Sequence, residues 1–252
     1  MKEAIILKNI IKCFPVDDKN MIDNDQVRGG YFYALDDISL SIEKGGCVII
    51  AGANGSGKSI LMSIIARLEE PTSGGVKTNA RVGLVFQEPD SQIMGETPRE
   101  DIAFGPRNLG LSKDEVKLRV EKALTQTGIY ERADFPSRSL SGGEKRRLAA
   151  AGVIAMDVEI IIFDEPYANM DYPGVVQINC LIKELVSDGK TVIILTHELE
   201  KCTALSKRFI ALYKGKKVFD GDASMALSLD LEGWGIHNPL RKPAHELGDL
   251  LW

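Results

Sequence analysis

Residues 52–59 read GANGSGKS. The run CVIIAGA (47–53) is short, continuous and apolar, as in a strand buried on both faces. The run KSILMSIIARL, from Lys58, carries apolar residues at helical spacing. Strand, glycine loop, helix is the context that gives the spacing G-x-x-x-x-G-K-S/T its meaning. Gly52, Gly55 and Gly57 let the backbone wrap closely round a phosphate, with Asn54 and Ser56 completing the loop. The helix start adds positive potential. In such a loop Lys58 reaches the β- and γ-phosphates of a nucleotide, and Ser59 offers its hydroxyl to Mg2+. A chance glycine turn is the alternative, and both flanks oppose it.

Working outward, RVGLVF (81–86), EIIIF (159–163) and TVIILT (191–196) read as further buried strands. Helical patterns separate them. Ser112 to Gly128 is an amphipathic helix with a capping-box start (Ser112, Glu115) and a glycine stop. EKRRLAAAGVIAM (144–156) and GVVQINCLIKELVSDG are further helices. This alternation predicts an α/β fold with a mostly parallel core sheet covered on both faces. AIILKNI (4–10) and ISLSI (38–42) predict an antiparallel β subdomain, joined by a polar, acidic, mobile loop over 15–30. RFIALYKGKKVFDG reads as a hairpin turning at Lys214–Gly215. Residues 93–150 hold no strong strand and are expected to form an inserted helical subdomain. The main domain then spans 1–222, followed by a C-terminal extension over 223–252.

IIIFDE places Asp164 and Glu165 at the end of a buried strand, where open parallel sheets bind their ligands. Asp164 can hold magnesium through its water shell, and Glu165 can polarise an attacking water. A helix-capping pair is the other reading of these carboxylates. TVIILTHE repeats the geometry and puts His197 at a strand end, near the γ-phosphate with Glu165. A lone histidine is more often structural, but this position favours function.

A second stretch, SGGEKRR from Ser141, could also grip a phosphate. Ser141, Gly142 and Gly143 expose backbone N–H groups at a helix start. Ser141 and Glu144 also fit a capping box for that helix, and the two readings are compatible. Taken together, the motifs make the chain resemble the ATPase subunit of an ABC transporter over most of its length. LSGGEKRR (Leu140–Arg147) resembles the family signature, with Glu144 where glutamine is common. Gln87 in VFQEPD resembles the Q-loop glutamine, a contact to magnesium and the attacking water. Asp171 in EPYANMD resembles the D-loop aspartate, and His197 the switch histidine. Asn169 and Met170 depart from the commoner D-loop residues, which puts communication between sites in question.

The resemblance implies a P-loop ABC-ATPase fold, ATP and Mg2+ as ligands, and head-to-tail dimers. Ser141, Gly142, Gly143 and Glu144 of one protomer would then face the P-loop nucleotide of the other. That would explain two phosphate grips in one chain. It also implies an aromatic platform for adenine after the first strand. Phe14 in KCFP fits that place best, with Tyr31 or Tyr33 as alternatives.

EPDSQIMGETPREDIAFGPRNLGLS, after Gln87, resembles the energy-coupling-factor ATPases and related cobalt and nickel importers. So does the tail LEGWGIHNPLRKPAHELGDLL, which could stabilise a dimer. This implies work with a transmembrane coupling component and a substrate-capture membrane protein, at the cytoplasmic face of the membrane, for a vitamin or transition metal ion. Pro89, Ile93, Met94 and Phe104 are expected at the surface as that partner's site. An iron–sulfur-assembly ATPase is the alternative. A DNA-repair ATPase would need heptads, and a translation-factor type two ATPase domains; neither is present. The net charge of −5 argues against nucleic-acid binding. No apolar run approaches the ~18–20 residues of a membrane span, so a membrane role must come through a partner. Cys13, Cys47, Cys180 and Cys202 form no CxxC pair and read as reduced thiols.

Overall fold

The computed structural model describes residues 2–16 and 25–240. Residues 17–24 of the loop expected over 15–30, and the end of the C-terminal extension, lie outside the described residues.

The apolar run before the glycine loop forms β4 (Gly46–Ala51), whose last four residues are buried. It pairs in parallel with β8 (Thr191–Thr196) on one side and β9 (Arg208–Tyr213) on the other. β7 (Ile160–Asp164) pairs with β8, and β6 (Val82–Val85) with β7, again in parallel. β10 (Lys216–Asp222) adds an antiparallel edge, turning from β9 at Lys214 and Gly215, both at positive φ. The order is β10-β9-β4-β8-β7-β6. Because side chains alternate along a strand, Ile49, Ile161, Ile194 and Phe209 fill one face. Ile50, Ile162, Ile193 and Ile210 fill the other.

A second, antiparallel sheet has the order β2-β3-β1-β5. Its strands are β1 (Glu3–Pro15), β2 (Val27–Arg28), β3 (Tyr31–Glu43) and β5 (Ser73–Thr78). β3 starts well before the ISLSI run, and Gly29 and Gly30 turn the chain from β2 into it at positive φ. Residues 25–30 thus join the sheet rather than forming an open loop, because these glycines permit a tight reversal. Residues of β1 and β3 share a core cluster with α1 (Lys58–Ile65), under the main sheet.

Between β6 and β7, which are paired neighbours, the chain runs through α2 (Pro98–Asn108), α3 (Lys113–Gln126) and α4 (Gly142–Ala155). Ile102, Val116, Val120, Leu124 and Leu148 form their shared core. α4 also turns Ala149, Ala150 and Val153 toward the sheet, beside Ile178, Leu181 and Ile182 of α5 (Tyr172–Ser187). One helix thus belongs to both cores. α2 has no clear helical period in sequence, since Gly105 and Pro106 break the pattern. Thr97 caps it and Pro98 occupies its first turn, where no N–H is needed. In the extension, α6 (Ala223–Ala226), Leu231 and Ile236 pack on the same core as α5, and Asn238 donates to the Leu227 carbonyl at 2.7 Å.

Candidate functional site

The loop from Gly52 to Gly57 joins β4 to α1. At Gly52 a Cβ would lie 2.3 Å from Ser56 Oγ and 2.6 Å from the Leu212 carbonyl oxygen. Gly57 sits at φ +102, and a Cβ there would come within 2.7 Å of the Ala34 carbonyl oxygen. Glycine is therefore demanded at both places by close approach. The β9–β10 turn braces the loop, with Gly215 N–H donating to the Ser56 carbonyl at 3.1 Å. Asn54 and Gly55 are exposed, and Gly55 has φ +78. No acidic residue of α1 itself stands in its first turn.

Lys58 is the first residue of that helix, and its side chain is only 6% exposed. Its ammonium donates to the carbonyls of Gly52 at 2.5 Å and Ala53 at 3.3 Å, and lies 3.6 Å from Glu165 Oε1. Burial holds its pKa below the ordinary lysine value, against the opposing pull of Glu165 and Asp164.

β7 ends in Asp164, and the chain turns sharply at Glu165. Glu165 has φ +45, an uncommon conformation for a side-chain-bearing residue. Holding it costs about 1–3 kcal/mol and needs surrounding support. The Glu165 N–H donates to the Leu195 carbonyl at 2.8 Å, which anchors the turn to β8. The carboxylate is thereby fixed between two strand ends. Oε1 lies 2.9 Å from His197 Nδ1, and Oε2 accepts from the His197 N–H at 3.3 Å. The His197 side chain remains about half exposed, so the ring spans from a buried carboxylate to the surface.

Asp164 and Ser59 meet across the same site. The Ser59 hydroxyl donates to Asp164 Oδ2 at 3.5 Å, while Oδ1 is buried without a hydrogen-bond partner. Burial and the neighbouring Glu165 charge raise the Asp164 pKa. A hydroxyl beside an unpartnered carboxylate oxygen suits a hard, oxygen-seeking divalent cation completed by phosphate oxygens. Among the described residues no group of three or more His, Cys, Asp or Glu side chains could hold a metal by itself. The residues present therefore fit Mg2+ bound together with a nucleotide.

Gln87 follows β6, with an exposed side chain and a backbone carbonyl held by Arg146 Nη2 at 3.0 Å. The side chain of Gln92 accepts from the Phe86 N–H at 3.1 Å and donates to the Leu84 carbonyl at 3.0 Å. It clamps the segment that carries Gln87. Gln92 stands in the EPDSQ run that carries the resemblance, but its role as a clamp leaves no signal there, since a side-chain amide folding back on a strand end follows no period.

Ser141 caps α4 in a complete capping box. The Glu144 N–H donates to Ser141 Oγ at 3.3 Å, and the Ser141 N–H donates to Glu144 Oε2 at 2.8 Å. Arg132 pairs with Glu144 Oε1 at 3.1 Å. These contacts hold the Glu144 carboxyl below its usual pKa, chiefly through the Ser141 N–H. Gly142 and Gly143 leave the helix start open, with no atom within 3.4 Å of a Cβ added at either. Among the described residues, no hydrogen bond or ion pair joins 141–144 to the loop at 52–59.

Asp171 caps α5, accepting from the Gly174 N–H at 3.0 Å. Phe14 lies near the end of β1, opposite Phe32, with the Lys12 amino group 5.2 Å from its ring centre. Tyr33 has the Arg28 guanidinium 4.2 Å from its own ring centre, and Tyr31 is exposed. Of the expected partner surface, Met94 and Phe104 are exposed at 68% and 47%. Pro89 is instead buried, and Ile93 packs against the α2–α4 core. Both follow the chain as it turns in toward that core after Gln87.

A strand–glycine loop–helix with a buried lysine, beside two carboxylates at a neighbouring strand end, defines a P-loop nucleotide-binding ATPase. Residues 35–168 match the family model described as ABC transporter. The cobalt import ATP-binding protein CbiO of Rhodobacter capsulatus is 38% identical over 224 residues, covering 82% of this chain and 80% of that protein. The energy-coupling factor transporter ATP-binding protein EcfA1 of Caldanaerobacter subterraneus is 43% identical over 202 residues, covering 74% and 73%. The solved structure of cbiO1 from Clostridium perfringens, described as part of the ABC transporter complex cbiONQ, is similar with a TM-score of 0.78. It is 28% identical, with 90% of this chain and 92% of that one covered. A dimeric post-hydrolysis structure of the ATP-binding cassette MJ0796, bound to ADP and Pi, gives a TM-score of 0.74 at 27% identity, covering 87% and 98%. The chain belongs to the ABC transporter family as an ATP-binding, ATP-hydrolysing subunit. Nothing in these likenesses favours an iron–sulfur-assembly ATPase.

Proposed function

We propose that this chain powers an importer of the energy-coupling-factor type, hydrolysing ATP to drive a membrane partner that takes up a vitamin or a transition metal ion. The observation that carries the hydrolytic part is the Glu165 carboxylate, buried and fixed between Lys58 and His197. The importer class is supported by relatives named for cobalt import and energy-coupling-factor transport.

Within the chain, the N–H groups of the Gly52–Gly57 loop and the start of α1 bind the β-phosphate. The Lys58 ammonium moves from the Gly52 and Ala53 carbonyls to the β- and γ-phosphates. Glu165 accepts a proton from the water that attacks the γ-phosphorus. His197, held by Glu165 through both its ring and its N–H, presents the free edge of its ring toward the γ-phosphate oxygens. Gln87 completes the polar wall beside that water. Ser59, Asp164 and Gln87 would hold Mg2+. The ion neutralises charge on the β- and γ-phosphates when bound. Phe14 supplies a platform for adenine.

Ser141, Gly142 and Gly143 contact the γ-phosphate of a nucleotide on a second protomer, identical or related, with Glu144 fixing that helix start and Asp171 lying at the junction. The chain works as a domain over 1–222 with the helical subdomain about 93–150, and the extension over 223–252 contributes to the dimer. No helix among the described residues is long and apolar enough to cross a membrane. The subunit sits peripherally at the cytoplasmic face, on a transmembrane coupling component and a substrate-capture protein. Affinity purification of the chain from its native membrane, with identification of its companions, tests this. Recovery of a polytopic membrane protein is expected. Recovery of soluble iron–sulfur-assembly proteins alone would overturn the importer reading.

A further inference from the structure

Arg146 lies in the second turn of α4, and only 7% of its surface is exposed. Its guanidinium spans two site segments. Nη1 donates to the Ala168 carbonyl, three residues beyond Glu165, and Nη2 donates to the Gln87 carbonyl at 3.0 Å. Glu88 and Glu198 act on its charge, and neither forms an ion pair with it among the described residues. Nε is buried without a partner. Burying a cation without a carboxylate costs free energy, and an apolar side chain of similar volume would serve packing at lower cost. An apolar chain could not hold two carbonyls at once. A planar fork of N–H groups can.

The loop after Glu165 is held from the other side as well. The Tyr167 carbonyl, next to that of Ala168, accepts from Lys201 Nζ at 3.4 Å. The fully buried Tyr167 donates its hydroxyl to Asn179 Oδ1 at 2.7 Å, and Asn179 donates to the Lys201 carbonyl at 2.7 Å. The strained turn at Glu165 is therefore clamped by α4 on one side and by the segment after His197 on the other.

We propose that Arg146 is a positioning residue for ATP hydrolysis. It fixes the Gln87 segment relative to the Glu165 segment, and ties both to the helix that begins at Ser141. A shift of that helix when Ser141–Gly143 engage a nucleotide would then move Gln87 and the 165–168 turn together. The inference rests on the hydrolytic roles proposed above for Glu165 and Gln87.

The full-length chain carrying Arg146→Met or Arg146→Lys tests it, with Glu165→Gln as reference. The measurements are nucleotide affinity with a fluorescent ATP analogue, kcat and KM for ATP, and hydrogen exchange at 87–92 and 166–170. Misplacing a reacting group by about 1 Å costs up to about a hundredfold in rate. Arg146→Met is expected to lower kcat about tenfold to a hundredfold, with affinity and melting temperature near wild type and exchange raised in both segments together. Arg146→Lys should restore only part of this, because an ammonium lacks the fork. Wild-type kcat in folded Arg146→Met would overturn the inference, as would an equal loss of affinity and kcat. If Arg146→Met does not fold, Arg146→Lys decides, and wild-type kcat with unchanged exchange rejects the role. Wild-type turnover in Glu165→Gln would instead reject the underlying site reading.

Discussion

His197 meets Glu165 twice, with ring Nδ1 2.9 Å from Oε1 and its backbone N–H donating to Oε2 at 3.3 Å. The two residues directly follow adjacent parallel strands, β7 and β8, so the sheet itself sets their spacing. Both oxygens of one carboxylate are thus oriented by one neighbour.

The first prediction concerns that carboxylate. Glu165→Gln keeps the shape and can keep the contact to the His197 N–H, but an amide cannot take a proton from water. General-base assistance is worth about 10²–10⁴-fold. Turnover should fall within that range while ATP affinity is retained, and the ATP-bound dimer should accumulate on size exclusion. Wild-type turnover in the assembled transporter would remove Glu165 from this role.

Much of this site is legible in the sequence because its parts are local. GANGSGKS, IIIFDE and TVIILTHE each follow a buried strand, and parallel pairing brings those strand ends to one edge. What escapes the sequence is whatever depends on distant contacts. Arg146 reaches Gln87 and Ala168 from another element. α2 forms despite Gly105 and Pro106 because burial of Ile102 and Ala103 in the α2–α4 core overrides local propensity. β5, with the sequence SGGVKT, gains its place from pairing with β1 and shows no apolar run. Pro89 and Ile93 look like surface residues in sequence, yet the turn after Gln87 directs them inward.

The second prediction concerns Gly52. A methyl there would press on Ser56 Oγ and on the Leu212 carbonyl. Overpacking of this kind costs about 1–3 kcal/mol. With the strain on the loop that binds phosphate, that is roughly a five- to 150-fold loss of ATP affinity. Isothermal titration of Gly52→Ala against wild type measures it, with melting temperature as control. Unchanged affinity in Gly52→Ala would mean that the loop absorbs the methyl without displacing its N–H groups.

The third prediction separates the two phosphate grips. Lys58→Ala removes a charge from the phosphates of the same chain, so affinity should fall even in the isolated monomer. Ser141→Arg should leave monomer affinity intact and block closure of the dimer. It also removes the cap on α4, at a cost of about 0.5–2 kcal/mol, which a denaturation curve reads separately. Equal loss of monomer affinity in both variants would argue against a shared site between protomers.

The last prediction concerns how the site reaches the membrane partner. Met94 lies seven positions beyond Gln87, and that segment is braced at both ends. Gln92 clamps its start to β6, and the Pro89 carbonyl accepts the N–H groups of Gln92 and Ile93. At its end, Asp101 Oδ1 accepts the N–H groups of Met94 at 2.7 Å and Gly95 at 2.8 Å. A displacement at Gln87 would therefore travel to Met94 with little slack. The Met94 side chain projects beside a groove lined by Glu96, Thr97, Asp134, Pro136 and Arg138. An exposed, adaptable thioether over a groove with both charges on its rim suits a helix of the coupling component. Met94→Asp would bury an unpaired carboxylate against that helix. Because Met94 is exposed and its backbone contacts do not involve the side chain, the fold and ATP affinity should stay near wild type. Recovery of the membrane partner from detergent-solubilised complex should drop about tenfold, the loss that 1.4 kcal/mol of binding energy produces. Undiminished recovery with folded Met94→Asp would place the partner elsewhere on the helical segment, with Phe104 on α2 the next residue to change.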